Sequence, residues 1–336
     1  MILTKETPVA VVGLGLMGCS IVTCMLLAGH PVVAVAPVSV DLLHAENRIK
    51  THLQKSFDNE LVQHEPEHYL KNLQITEDYA LLKDCKLVIE CTLENIEIKE
   101  AVFKKIEAVI SPEALLTSNT SAIPISTLQK LVKHQERFLG LHWAEPAHTT
   151  RFLEIICGDN TDIKNGEYLY ELSHHWQKEP ILVRKDIAGF ICNRLMYAMY
   201  REAISLVENG YATVEDVDRS CRNNAGYFMT FVGIFRWMDL TGVPAYHAVM
   251  QQLLPTLNNS TDVPELIDKI VREGGKGVAN DHGFYDYEPG EGKLWTETFN
   301  KFTYEVRELA MRYPHDVVRQ KYIEQKASQA SEEAPQ

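Results

Sequence analysis

The feature that most constrains the fold is a glycine-rich turn between a short apolar run and an apolar helix. The run PVAVV at 8–12 predicts a buried strand, and residues 17–28 predict a helix. The segment GLGLMG stands between them, and a second strand-like run, PVVAVA, follows at 31–36. A strand, a crossover helix and a second strand of these lengths predict a βαβ unit, in which the two strands are parallel.

The glycine-rich turn has the spacing of a phosphate cradle. Gly13 permits a tight turn, Gly15 lets a phosphate approach the backbone, and Gly18 lets the helix pack closely on the strand. Leu16 and Met17 open the helix, where backbone N–H groups and the positive end of the helix dipole attract anions. We therefore expect residues 13–18 to bind the pyrophosphate of a nicotinamide dinucleotide.

The acid that usually accompanies such a turn is missing. A carboxylate about 20 residues past the glycines normally binds the adenosine ribose hydroxyls. The sequence there reads Val35-Ala36-Pro37, and the nearest carboxylate is Asp41. No arginine stands there to hold a 2′-phosphate. The expected cofactor is NAD, with NADP not excluded and with weak discrimination between the two.

The rest of the chain divides into an alternating part and a helical part. Five further strands are predicted, at 73–76, 86–90, 114–117, 137–142 and 152–157, and ILVRK near Ile181 is another. Alternating strands and helices indicate a parallel sheet covered on both faces. From Asp186 onward only helical periodicity remains. The predicted fold is α/β: a Rossmann-type domain over 1–185, an all-helical domain over 186–325 and a disordered tail over 326–336.

Composition and charge narrow the class of partners and the compartment. The net charge of −13 disfavours nucleic acid and anionic membranes as partners, since both need a basic face. No apolar stretch is long enough to span a membrane, and the first residues lack the pattern of a signal peptide. The seven cysteines form no CxxC pair or metal-ligand spacing, which is typical of reduced thiols. We expect a cytoplasmic protein without a metal site.

Seven segments, in order, resemble the L-3-hydroxyacyl-CoA dehydrogenase family over about 285 residues up to Tyr287. They are VAVVGLGLMG, VIECTLENIEIK, LLTSNTSAIPI, RFLGLHWAEP, FLEII, DIAGFICNRL and GKGVANDHGFYDY. The resemblance implies an NAD-dependent oxidoreductase of fatty acid metabolism, in which a hydride moves to or from C3 of a 3-hydroxyacyl-CoA. It also implies a homodimer formed through the helical domain, where Phe228, Phe231, Phe235 and Trp237 are concentrated.

His142 and Glu154 are the expected acid–base pair. Removing a hydride from an alcohol carbon requires that the hydroxyl lose its proton, and imidazole titrates near neutral pH. A carboxylate on the other ring nitrogen fixes the tautomer and stabilises the imidazolium. In the family, the residue that matches His142 exchanges the hydroxyl proton, and the residue that matches Glu154 holds the histidine.

Six more positions rest mainly on the resemblance. Ser121 and Asn193 match residues that hydrogen-bond the reacting oxygen and the histidine. Four others match the nicotinamide end of the cofactor site, namely Cys91 through its backbone, Glu94, Lys99 and Asn119. Glu94 and Lys99 are also compatible with a solvated pair at the start of a helix.

Several departures bear on the substrate. Glu145 replaces the family's asparagine three residues after the histidine, and Asn59 replaces a lysine that meets the CoA phosphate. Arg48, Lys50 and Lys55 remain of the basic run. A dehydrogenase of a small free 3-hydroxy acid, of the gulonate or carnitine type, is therefore an alternative, and a non-catalytic relative is a third. Glu145 either shapes substrate choice, or is a carboxylate that faces solvent or pairs with a base such as Arg151.

Overall fold

The structure, a computed structural model, describes residues 6–332 and contains two compact units, 1–195 and 196–336. The boundary between the units lies ten residues beyond the predicted one at 185. Each unit is described by itself below.

One eight-stranded sheet forms the centre of the first unit. Its strands are β1 (Val9–Val12), β2 (Val32–Val35), β3 (Leu73–Thr76), β4 (Leu87–Glu90), β5 (Leu115–Ser118), β6 (Phe138–Trp143), β7 (Phe152–Cys157) and β8 (Glu179–Val183). The spatial order is β3-β2-β1-β4-β5-β6-β7-β8. Every predicted strand is present, and the predicted Rossmann-type sheet is confirmed.

Helices cover both faces of this sheet. They are α1 (Leu16–Leu27), α2 (Ser39–Asp58), α3 (Pro66–Leu70), α4 (Ile96–Glu107), α5 (Ile125–Leu128) and α6 (Ile163–His175). One apolar cluster lies on the side of α1, α2 and α6, and a second lies on the side of α4. The residues of β1 and β4 are buried, as expected for central strands covered on both faces.

One strand pairing departs from the expected parallel sheet. Strands β6 and β7 are antiparallel, whereas all the other pairs are parallel. Only residues 144–151 join them, which is too short for the helix that a parallel crossover needs. The antiparallel register places His142 directly opposite Glu154. The predicted parallel sheet is thus confirmed at every pair except this one.

The second unit is helical. Helix α7 (Cys192–Glu208) begins in the first unit, and the chain continues through α8 (Val214–Asn223), α9 (Ala225–Met229), α10 (Ile234–Thr241), α11 (Val243–Leu253), α12 (Glu265–Arg272), α13 (Glu291–Arg312) and α14 (Val317–Glu332). Described residues from 196 onward contain only isolated β-bridges around His282 and no strand. The tail predicted to be disordered from 326 is helical through Glu332, and 333–336 lie outside the described residues.

Candidate active site

The glycine loop at the end of β1 fits a dinucleotide phosphate. Gly13 has a φ of +104°, and a Cβ there would lie 2.6 Å from the carbonyl oxygen of Cys91. A Cβ on Gly18 would lie 1.8 Å from the carbonyl oxygen of Gly13. Gly15, by contrast, faces open space: no atom lies within 4 Å of the place where its Cβ would be. The loop therefore packs tightly against backbone atoms at Gly13 and Gly18, whereas the space next to Gly15 is open.

Helix α1 supplies the donors for that open side. Gly15 is its N-cap residue and offers no side-chain hydrogen bond to the first turn. Leu16 is 69% exposed, and Met17 is partly buried. The free N–H groups of this turn and the helix dipole suit an anion. Residues 13–18 thus offer the open space and the backbone donors that a pyrophosphate needs.

A buried ion pair lies directly behind this loop. Glu90, the last residue of β4, contacts the Lys99 ammonium through both carboxylate oxygens, at 3.0 and 2.9 Å. It also accepts hydrogen bonds from the Ser118 hydroxyl at 2.6 Å and from the backbone N–H of Thr92 at 2.5 Å. Both charged side chains are fully buried, so the pair is stable only because its hydrogen bonds are satisfied.

Glu90 was not predicted from the sequence. The signal that could have identified it is a carboxylate in the otherwise apolar strand KLVIE, nine residues before a lysine. Lys99 was expected to contact the cofactor, but its side chain has no exposed surface. In this structure Lys99 positions Glu90, and it also lies 3.6 Å from Glu94.

Glu94 organises the loop that carries Ser121. One of its carboxylate oxygens accepts hydrogen bonds from the Thr120 hydroxyl at 2.5 Å and from the backbone N–H groups of Ser121 and Ala122, both at 3.0 Å. Burial alone would raise the pKa of Glu94, but these hydrogen bonds and the Lys99 charge outweigh it and lower that pKa. The carboxylate therefore stays ionised and holds the loop in place, which disagrees with a solvated pair.

His142 and Glu154 meet across the antiparallel strands. The His142 Nδ1 atom lies 2.9 Å from a Glu154 carboxylate oxygen, and both side chains are buried. The second Glu154 oxygen accepts the backbone N–H groups of Ile191 at 3.0 Å and Cys192 at 2.9 Å. These donors belong to the start of α7, where a helix favours negative charge.

The ring of His142 is oriented by more than this hydrogen bond. Phe152 packs against it edge-on and Phe190 at a tilt, each with ring centroids 5.6 Å away. With Nδ1 bound by the carboxylate, Nε2 is the nitrogen left for a substrate. The arrangement is that of a general acid–base whose tautomer is fixed from behind.

Three amide and hydroxyl side chains complete the set of predicted residues. Asn193 donates from Nδ2 to the Ser121 carbonyl oxygen at 2.8 Å, so these two residues are neighbours. The Ser121 residue is exposed. Asn119 follows β5 and accepts the backbone N–H of Trp143 at 3.0 Å, which joins the ends of β5 and β6. Cys91 follows β4, with its backbone against Gly13.

Glu145 lies on the loop that leaves β6. Burial raises the pKa of its carboxyl to about 7, and a hydrogen bond with Ser20 of α1 opposes that shift, although part of the residue is exposed. Arg151, the alternative partner, forms an ion pair with Glu179 at 3.1 Å. Within residues 6–332, Glu145 has no ion pair, so the salt-bridge interpretation was wrong.

Two of the basic residues expected near a CoA phosphate already contact other groups of the protein. Lys50 pairs with Glu67 at 2.7 Å, and Arg48 donates to the Leu14 carbonyl oxygen at 3.2 Å. Asn59 donates its side-chain amide to the backbone of Lys55 at the end of α2.

In the part of the chain that the structure describes, no group of three or more His, Cys, Asp or Glu residues is arranged to hold a metal ion. No helix among the described residues is both long and apolar enough to cross a membrane.

Two family models match this chain. The model described as 3-hydroxyacyl-CoA dehydrogenase, NAD binding domain, matches residues 8–187, and the model for the C-terminal domain of the same family matches 189–287.

Two similar relatives have different names. The 5-formyl-3-hydroxy-2-methylpyridine 4-carboxylate 5-dehydrogenase of Mesorhizobium japonicum is 30% identical over 85% of this chain and 92% of its own. The 3-hydroxybutyryl-CoA dehydrogenase of Bradyrhizobium diazoefficiens is 33% identical over 83% of this chain and 94% of its own.

Solved structures of both kinds of enzyme are similar to this chain. A crystal structure of the pyridine carboxylate dehydrogenase, described as an NAD⁺-dependent dismutase, has a TM-score of 0.84 at 28% identity and covers 91% of this chain and 99% of its own. The (S)-3-hydroxybutyryl-CoA dehydrogenase of Ralstonia eutropha has a TM-score of 0.70 at 26% identity and covers 84% and 99%.

Proposed function

The chain belongs to the 3-hydroxyacyl-CoA dehydrogenase family, and from that premise we propose that it transfers a hydride between NAD and C3 of a 3-hydroxyacyl-CoA. The observation that carries the proposal is the hydrogen bond of 2.9 Å between His142 and Glu154. This pair provides what the oxidation of a secondary alcohol needs besides a hydride acceptor.

In the oxidative direction, His142 Nε2 accepts the proton of the substrate hydroxyl as the carbonyl forms. Residues 13–18 would hold NAD, which would supply the hydride acceptor for the same carbon. Glu154 stabilises the imidazolium through Nδ1 and is itself held by two backbone N–H groups. In the reductive direction, the same imidazolium returns the proton.

Ser121 and Asn193 are proposed to hold the reacting oxygen. The Ser121 hydroxyl donates a hydrogen bond to negative charge that develops on this oxygen during reduction. Asn193 fixes the Ser121 loop through the carbonyl contact of 2.8 Å, and Glu94 fixes it from the other side. The loop is thus held in place before the substrate binds.

A second candidate is oxidation of a small alcohol without CoA. The higher TM-score of the pyridine carboxylate dehydrogenase, 0.84 against 0.70, favours it. The occupied Lys50 and the absence of a lysine at Asn59 favour it as well.

We also propose that the protein is a cytoplasmic homodimer. The seven cysteines are free thiols, as expected in a reducing compartment. In the second unit, Phe231 and Phe235 are 47% and 82% exposed, and such apolar surfaces favour an interface between two copies. Phe228 and Trp237 instead stack on each other, with centroids 4.5 Å apart.

A substrate screen tests the proposed reaction. Purified protein is assayed at 340 nm with acetoacetyl-CoA and NADH, and with free 3-hydroxy acids, carnitine and hydroxymethylpyridine carboxylates and NAD. The acyl-CoA proposal predicts the highest kcat/KM for acetoacetyl-CoA. A higher kcat/KM for a free acid or a pyridine alcohol would replace it with the second candidate, and no turnover with any of them would contradict both.

A further inference from the structure

The end of β2 carries no group that can bind a ribose hydroxyl, but a carboxylate lies close by on the next helix. Ala36 and Pro37 follow β2 and offer no side-chain acceptor. Asp41 stands in the first turn of α2 and is partly exposed. In dinucleotide-binding βαβ units, the adenosine ribose lies between the glycine loop and this end of β2.

Arg48 connects Asp41 to the glycine loop. Its Nη1 atom donates to the Leu14 carbonyl oxygen at 3.2 Å and lies 3.9 Å from an Asp41 carboxylate oxygen. The two residues are seven apart on α2, which places them on one face of the helix two turns apart. Arg48 therefore holds the first turn of α2, and Asp41 with it, beside the loop that binds the pyrophosphate.

The Asp41 carboxylate is available to a ligand. Within residues 6–332, Arg48 is its only ion-pair partner, and no hydrogen-bond donor reaches its oxygens. We propose that Asp41, positioned by Arg48, accepts the adenosine ribose hydroxyls and is the residue that selects NAD over NADP. This rests on the NAD dependence of the proposed function, not on its acyl-CoA substrate.

The charge of Asp41 gives the expected direction of selectivity. A 2′-phosphate placed against this carboxylate would be repelled, and Arg48 is already engaged by Asp41 and by the Leu14 carbonyl. We therefore expect a clear preference for NAD, in place of the weak discrimination that the missing acid alone predicts.

Calorimetric titration without substrate tests the proposal. NAD, NADP and an NAD analogue that lacks the adenosine 2′-hydroxyl are titrated into the wild type, Asp41→Asn and a control, Glu46→Gln. Glu46 is an exposed acid on the same helix, so its loss changes the net charge equally. We expect Asp41→Asn to raise the Kd of NAD about tenfold, because a hydrogen bond to a charged group is lost. The same substitution should lower the Kd of NADP, because the charge that repels the 2′-phosphate is removed.

The analogue makes the test specific for contact. If Asp41 binds the 2′-hydroxyl, Asp41→Asn weakens NAD much more than it weakens the analogue, because the two deletions remove the same contact. Equal weakening of both ligands would overturn the proposal. So would equal effects of Asp41→Asn and Glu46→Gln, or wild-type affinities for NAD and NADP within twofold. A Tm and a far-ultraviolet spectrum like those of the wild type establish that each variant is folded.

A third variant, Arg48→Met, distinguishes support of Asp41 from direct binding of the NADP 2′-phosphate by Arg48. We expect Arg48→Met to weaken NAD, because Asp41 loses its support. If Arg48→Met leaves NAD unchanged and abolishes NADP binding, Arg48 is a phosphate site and the proposal fails. None of these titrations needs a substrate, so failure of the acyl-CoA assignment leaves their result unaffected.

Discussion

The two compact units bury their apolar side chains to very different extents. In the first unit, strands and helices enclose two apolar clusters on the two faces of the sheet. In the second unit, only Gly292 and Arg307 are buried among residues 196–329, and large side chains such as Tyr227 and Phe235 are more than 80% exposed. The first unit is stabilised by its own core, whereas the helical unit carries apolar surface that a second copy can bury.

The largest effect is expected from His142→Gln in the first unit. Loss of the acid–base group should lower kcat roughly 100-fold to 10,000-fold. The glycine loop is untouched, so the Kd of NAD should change little. Steady-state kinetics and calorimetry measure the two quantities, and sedimentation should give the wild-type mass. Turnover within a few fold of the wild type would mean that another residue handles the proton.

Two glycine substitutions in the first unit distinguish packing from ligand contact. Gly18→Ala places a Cβ against the Gly13 carbonyl oxygen and should destabilise the fold by about 1–3 kcal/mol, as overpacking does. Gly15→Ala meets nothing within 4 Å, so its Tm should stay near that of the wild type while NAD binds more weakly. Thermal denaturation and calorimetry separate the effects. Equal losses of Tm in both variants would contradict this difference between the two sides of the loop.

Phe235→Ser tests whether the exposed surface of the second unit joins two copies. Burying one such side chain contributes roughly 1.5–3 kcal/mol, so the dimer dissociation constant should rise at least tenfold. Leu43→Ser is the matched control, because Leu43 is 77% exposed on the first unit. Sedimentation equilibrium measures both variants. A wild-type protein that is monomeric at micromolar concentration would contradict the proposed dimer.

The smallest effect is expected from Glu145→Asn. Burial raises the pKa of Glu145 to about 7. Between about pH 4.5 and 7, the carboxyl is therefore protonated in the folded state but ionised in the unfolded state. Wild-type stability therefore falls as the pH rises through this window, and the variant should lose less. Tm measured from pH 4.5 to 8 checks this difference.

The same variant bears on substrate choice. Restoring the family's asparagine should improve acetoacetyl-CoA reduction if Glu145 repels the acyl-CoA. An unchanged kcat/KM ranking, together with an unchanged pH profile, would leave Glu145 without a role in specificity.

Local patterns predicted most of the first unit. Buried apolar runs located the strands, and the GLGLMG spacing located the loop, because both signals lie within a few adjacent residues. The pairing of His142 with Glu154 was predicted only through the family resemblance. Its physical cause is the antiparallel register of β6 and β7, which depends on the length of the connection and not on periodicity.

What the sequence missed depends on contacts between distant residues. Glu90 is in the site because Lys99 and Ser118 surround it, and neither neighbour is adjacent in the chain. The position of Arg48 against Leu14 likewise requires α2 to pack beside the glycine loop. Residue patterns report which side chains are apolar, but they do not report which buried charges find partners.

The way Glu154 is held has a consequence for how this protein can change over time. Its second oxygen is bound by the backbone N–H groups of Ile191 and Cys192, not by their side chains. Any residue with an N–H supplies the same donor, so substitutions at these positions can accumulate without loosening the acid–base pair. Proline is the exception, because it has no N–H to donate. Side-chain substitutions at Ile191 and Cys192, proline excepted, thus leave the backbone hydrogen bonds to Glu154 in place.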